Sequence, residues 1–163
     1  MLWRQGLVMS GRDALELARD AFREQAWGQA YARFGVADSD SRLAPADLEL
    51  YARASFLTGR DDACVSLLDR AYHQLLDSGE HEQAAECAFW LGFNLINRGE
   101  MAQAGGWLAR AEKLVPATPD DSPIRGLLLV PAACRHSCRA TVPAPSSSSP
   151  WPAGLAAPRG SRS

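Results

Sequence analysis

Four sets of residues in the chain hold side chains that could do chemistry. Cys134, His136 and Cys138 form the run "CRHSC". Thiolates and an imidazole at short spacing can bind zinc, but a zinc site needs four ligands, and its cysteines usually begin with two residues between them. Here three residues separate the cysteines and no fourth ligand follows. The run therefore reads as incidental, not as a metal centre. His73 and His81 could serve as bases, yet neither accompanies a Ser or Cys nucleophile in a recognisable motif. There is no GxSxG, no HExxH and no phosphate loop. Asp61 and Asp62 are adjacent carboxylates, but they open a helical pattern, where acidic residues favour the helix dipole. Cys64 and Cys87 fall inside helical patterns and read as reduced, buried thiols. These residues predict no enzyme, no cofactor and no metal, so function must come from the surfaces that the secondary structure builds.

The chain has 163 residues and an apolar fraction of 47%, enough for one domain with a core. Its charge is uneven. Up to Asp121 there are 12 basic and 19 acidic residues; from Ser122 onward there are five Arg and no acid. Nine of the ten prolines lie at Pro116 or later. This split predicts two kinds of chain joined near residues 116–134. No run approaches the roughly 20 apolar residues of a membrane span. The opening "MLWRQGLVMS" has no cleavage-like site after its short apolar run, so it is not expected to act as a signal peptide. A cytoplasmic chain without membrane contact is expected.

Helical periodicity fills residues 11–115, with no run of alternating residues that predicts a strand. Ser10 caps a first helix reaching about Gln25. A second occupies "AWGQAYARFGVADS". The third begins with Pro45 at a first-turn position and stops at Gly59. A fourth runs from Asp61 or Asp62 to Ser78, a fifth from about Glu82 to Arg98, and a sixth from about Met101 to Leu114. His81 is placed in the loop between repeats.

Six helices suggest three antiparallel pairs, and the pairs repeat. Units of 34 residues begin at Gly11, Pro45 and Ala85, with six extra residues, Gly79 to Ala84, before the third. The eighth position holds Ala18, Ala52 and Gly92. The twentieth holds Ala30, Cys64 and Ala104, and the twenty-seventh holds Ala37, Ala71 and Ala111. All are small. The seventh position holds Leu17, Tyr51 and Leu91, and the twenty-fourth holds Phe34, Leu68 and Leu108. All are large and apolar. Helices joined by a tight turn approach closely only at small residues, and a large neighbour plugs the gap beside them. Gly105 and Gly106 sit mid-helix, where each costs roughly 1 kcal/mol relative to Ala. They either admit a neighbouring backbone, with Trp107 filling the space beside it, or are tolerated drift.

The pattern resembles the tetratricopeptide repeat, a helix–turn–helix unit of 34 residues with small residues at these three positions. Unit three carries it best, in Leu91, Gly92, Gly99, Ala104, Leu108, Ala111 and Pro116. The family's Trp at position four is absent, replaced by Ala14, Leu48 and Ala88. The resemblance covers residues 11–118 and implies an all-α, right-handed solenoid. It also implies a concave groove lined by the first helix of each pair, at positions two, five, nine, twelve and thirteen. These are Arg12, Leu15, Arg19, Phe22 and Arg23 in unit one; Ala46, Glu49, Arg53, Phe56 and Leu57 in unit two; and Glu86, Phe89, Phe93, Ile96 and Asn97 in unit three. From these, Arg19, Arg53, Phe56, Phe89, Phe93 and Asn97 form the expected partner site. They would suit a protein or peptide segment with apolar and acidic groups.

The stretches "LLDRAY", "AAECAFWLGFNLINRGEMAQAGGWLARAEKL" and "DSPIRGLLLVPAA" further resemble the N-terminal repeat region of actinobacterial LuxR-type transcription regulators. That resemblance implies a signal-receiving segment, here without a helix-turn-helix. A free-standing adaptor is the alternative. Ser122, Pro123 and Ile124 read as the cap and first turn of a partial seventh helix, ended or kinked by Pro131. Its leucines would cover unit three. The uncapped C-terminal end of the stack, at Leu127 to Leu129, offers a route to self-association. The expected organisation is an N-terminal extension (1–10), a repeat domain (11–133) and a disordered Pro/Ser/Arg/Ala-rich tail (134–163). The tail is either a genuine linker or the product of truncation or a frameshift. Its scattered arginines predict no nucleic-acid contact.

Overall fold

A computed structural model of the chain describes residues 10–117 and 121–129. The extension before Ser10, the "CRHSC" run, Pro131 and the expected tail lie outside the described residues. Within them the chain is helical and has no strand. The helices are α1 (Gly11–Arg23), α2 (Trp27–Asp40), α3 (Pro45–Leu57), α4 (Asp61–Ser78), α5 (His81–Asn97) and α6 (Met101–Leu114). A 3-10 turn at Val115–Ala117 follows. A seventh helical segment, α7, covers residues 123–129.

Each helix begins and ends for a local reason. The Ser10 hydroxyl accepts the Arg12 N–H at the start of α1, and Asp13 sits in its first turn. Pro45 opens α3, where a missing N–H costs nothing. Three helices end on a glycine in the left-handed region: Gly59 at φ 71°, Gly79 at φ 78° and Gly99 at φ 78°. At each, the next residue's N–H reaches back five residues: Arg60 to Ser55, Glu80 to Leu75 and Glu100 to Leu95, all at 2.9 Å. This double-bonded cap satisfies the last carbonyls and reverses the chain. α1 ends the same way, with Ala26 N–H on the Ala21 carbonyl, but Gln25 takes the left-handed position at φ 60°. His81 is the first residue of α5 and not a loop residue, because the Gly79 cap already completes the turn.

The helices stack in sequence. α1 lies on α2, α3 on α4 and α5 on α6, with α2 against α3 and α4 against α5 between the pairs. The three small columns form the seams. All nine of their residues are buried, and so are Phe34, Leu68 and Leu108 beside them. Gly92 shows why. A Cβ there would lie 2.9 Å from Leu108 Cγ and 3.3 Å from the Ala104 carbonyl oxygen. Leu17 departs from its column: Leu91 of α5 is fully buried, whereas Leu17 is 38% exposed on α1.

Gly105 and Gly106 do not admit a neighbouring backbone. Both are exposed, and a Cβ at either would meet nothing within 4 Å. The close approach within unit three belongs to Gly92. Trp107 instead packs edge-on against Tyr72 of α4, with ring centroids 5.1 Å apart, and carries Arg110 above its face.

Ion pairs staple neighbouring units. Arg19 of α1 forms a two-pronged pair with Asp47 of α3, and Arg70 of α4 does the same with Asp38 of α2. Arg98 joins Asp62 of α4 at 2.7 Å. At the end of the stack, Ile124 and Leu128 of α7 are buried and the Ser122 hydroxyl donates to Glu82 of α5 at 2.5 Å. Leu128 belongs to the buried core, while Leu129 remains 69% exposed.

Candidate functional site

The first helices of the three pairs, α1, α3 and α5, line a common groove of about 520 Å³, joined by Trp27 of α2 and by Cys64 and Leu68 of α4. Its walls are aromatic: Phe22 and Trp27 at one end, Phe56 in the middle, Trp90 and Phe93 at the other. Phe22 and Trp27 meet edge-on with centroids 5.0 Å apart, a contact that packs the α1–α2 corner. Trp90 is fixed against Phe93 at 5.8 Å and against Phe89 at 5.3 Å. Phe56, Phe93 and Trp90 keep 44%, 41% and 36% of their surface exposed. Aromatic side chains left open along one groove are the usual mark of a binding surface.

The polar groups are few. Glu49, Arg53 and Glu86 line the groove, with Asn94, Cys64 and Cys87 at its floor. The Cys87 thiol donates to Glu49 Oε1 at 3.5 Å, and the Trp90 indole donates to Glu86 Oε1 at 3.4 Å. Asn94 donates to the Trp90 carbonyl at 2.8 Å and accepts from the Cys64 thiol at 3.8 Å. Burial pushes the Glu49 carboxyl above its ordinary range, and the Glu86 charge adds to this; the Cys87 hydrogen bond and Arg53 oppose it. Burial likewise raises Cys64 to about 11 and drives Cys87 up, with Glu49 contributing at the latter. Both thiols stay protonated at neutral pH, so neither is an activated nucleophile.

Of the six expected site residues, Arg53, Phe56 and Phe93 line this groove. Phe89 does not: it is 5% exposed, stacked behind Phe93 as part of the core. Arg19 does not either. Asp47, its partner, is only 3% exposed, and a carboxylate so buried requires a cation beside it. Asn97 is the last residue of α5 and is exposed, outside the groove lining. Phe22, Glu49, Leu57 and Glu86 stand at expected groove positions and do line it. Trp27 and Trp90 lie outside the expected set. Trp90 follows Phe89 by one residue, so it emerges where Phe89 turns inward. Trp27 belongs to a second helix, which the positional rule does not cover. Among the described residues no group of three or more His, Cys, Asp or Glu could hold a metal ion.

This geometry can be set against known structures. The chain aligns with the crystal structure of MamA, a tetratricopeptide-like helical repeat protein, with a TM-score of 0.57 over 80% of this chain and 72% of that one. The fold is a tetratricopeptide-like helical repeat. Identity is 15%, so the likeness concerns the fold. No protein-family model matches the sequence, and no curated protein does. Among the described residues no helix is long and apolar enough to cross a membrane.

Proposed function

We propose that the chain is a non-catalytic protein-interaction module whose α1–α3–α5 groove holds an apolar segment of a protein partner. The supporting observation is the open aromatic row of Phe56, Trp90 and Phe93 along the groove. Repeat folds of this kind commonly bind partners along such extended concave surfaces. Arg53 adds a polar contact at the groove's centre. The test is co-purification after in-cell crosslinking, comparing the unaltered chain with Phe56→Glu, Arg53→Glu and Leu17→Glu. Leu17 is exposed but lies outside the groove lining. The expected result is loss of the crosslinked partner with Phe56→Glu and retention with Leu17→Glu, while Arg53→Glu reads the partner's charge, weakening an acidic segment and strengthening a basic one. Retention in all three would show that the groove is not the site.

The stretch "LGFNLINRGEMAQAGGWLARAEKL" supports a narrower setting, the repeat region of a LuxR-type regulator, in which the groove receives the signal or a regulatory partner. This setting predicts that DNA beyond the codon for Asp121 encodes further helical repeats and a helix-turn-helix in one of its frames. Their absence there would leave the adaptor role.

A further inference from the structure

We infer that the groove selects a partner segment carrying a cationic side chain, Lys or Arg, among apolar ones. The inference rests on the groove assignment above and names the chemistry of its occupant. Asp38, Asp47, Asp62 and Glu100 each meet an Arg within 2.8 Å. Glu49 and Glu86 meet only neutral donors, the Cys87 thiol and the Trp90 indole. Arg53 lines the same groove and is felt by Glu49, but among the described residues it forms no ion pair within 4.0 Å. Two carboxylates against one guanidinium leave the groove net negative.

Trp27, Phe56, Trp90 and Phe93 line the same groove as the two carboxylates, and the Trp90 indole reaches Glu86. Ring faces attract Lys and Arg through the aromatic quadrupole, and the attraction grows as water leaves. A cation entering between Glu49 and Glu86 would gain both terms and would relieve the burial penalty on Glu49. An acidic segment would place a third carboxylate beside the two, which is unfavourable. The expected preference for acidic groups relied on Arg19 and Arg53; Asp47 holds Arg19 away, and Arg53 alone shares the groove with two carboxylates.

The experiment pans a phage library of random dodecapeptides on the immobilised 163-residue chain. Enriched peptides should combine aromatic or aliphatic residues with Lys or Arg and be poor in Asp and Glu. A synthetic representative should lose roughly tenfold affinity on the Glu49→Gln/Glu86→Gln double variant and none on Glu16→Gln. Neutral or acidic enriched peptides, or cationic peptides indifferent to the double variant, would overturn the cation preference. The groove would still stand if Phe56→Glu abolished their binding. If Phe56→Glu left them bound, the groove assignment itself would fall. Enrichment of no sequence would overturn both. A dimer that Phe56→Glu dissociates would make the occupant a second copy and overturn the cationic partner.

Discussion

A charged side chain takes its role from its neighbours. Arg19 and Arg53 occupy the same position of successive repeats, yet one is a staple and the other faces a groove. Asp47, the partner of Arg19, stands at the third position of unit two; the same position of unit three is Cys87. A neutral thiol cannot hold Arg53, so Arg53 is left to the groove. Replacing Arg19 by Met should therefore cost about 1.5–3 kcal/mol by stranding the Asp47 carboxylate. Urea unfolding checks this, and the same variant should keep its partner. The thiols give a second test. In a Cys134→Ser/Cys138→Ser background, Cys64 and Cys87 should resist a thiol reagent at pH 7.5 and react at once in denaturant, since burial raises both. Glu49→Gln should raise the thermal midpoint at pH 7 by removing a buried charge. A carboxyl raised in the folded state destabilises when ionised, so the gain should shrink as pH falls through that raised value. A variant that is more stable yet binds less would mark Glu49 as a binding residue.

At the scale of elements, the glycines separate into three kinds. Gly99 supports a left-handed cap, and Gly99→Ala should cost about 1 kcal/mol. Gly92 permits a seam, and Gly92→Ala should cost about 1–3 kcal/mol by driving Leu108 off its contact with α5. Gly105 and Gly106 do neither. Changing each to Ala should stabilise α6 by about 0.5–1 kcal/mol. Gln25 sits where its counterparts Gly59 and Gly99 have no Cβ penalty, so Gln25→Gly should stabilise by about 1 kcal/mol. Denaturant midpoints of these five single variants would test the series, and its opposed signs make it hard to satisfy by accident.

Across the whole molecule, stability should be graded along the stack. In a repeat array each unit draws on its neighbours, so covered elements open last. α3, α4 and α5 carry most of the large buried side chains, including Leu48, Leu67, Leu75, Leu91 and Leu95. Hydrogen exchange should accordingly be slowest in α3 to α5 and faster in α1, whose buried face is mainly alanine. Uniform protection from α1 to α6 would contradict this order. The groove spans α1, α3 and α5, so partner binding should slow exchange most at the less protected α1 end.

Much of this architecture was legible in the residues alone. Caps, breakers and apolar spacing act within a few residues, and they placed the six main helices near their observed ends. The small columns revealed the seams because every unit must solve the same packing problem. The groove was legible only in part. Repeat position indicated Arg53, Phe56 and Phe93, but it could not show that Phe89 turns inward, that Trp27 joins from a second helix, or that Asp47 captures Arg19. Those outcomes depend on which side chains from distant segments arrive together. Gly105 and Gly106 make the same point: a glycine in sequence signals freedom of approach, and only the packed neighbours decide whether anything approaches. Local spacing determined the helices and their repeat; tertiary packing decided burial, charge pairing and therefore which aromatic side chains stay open in the groove.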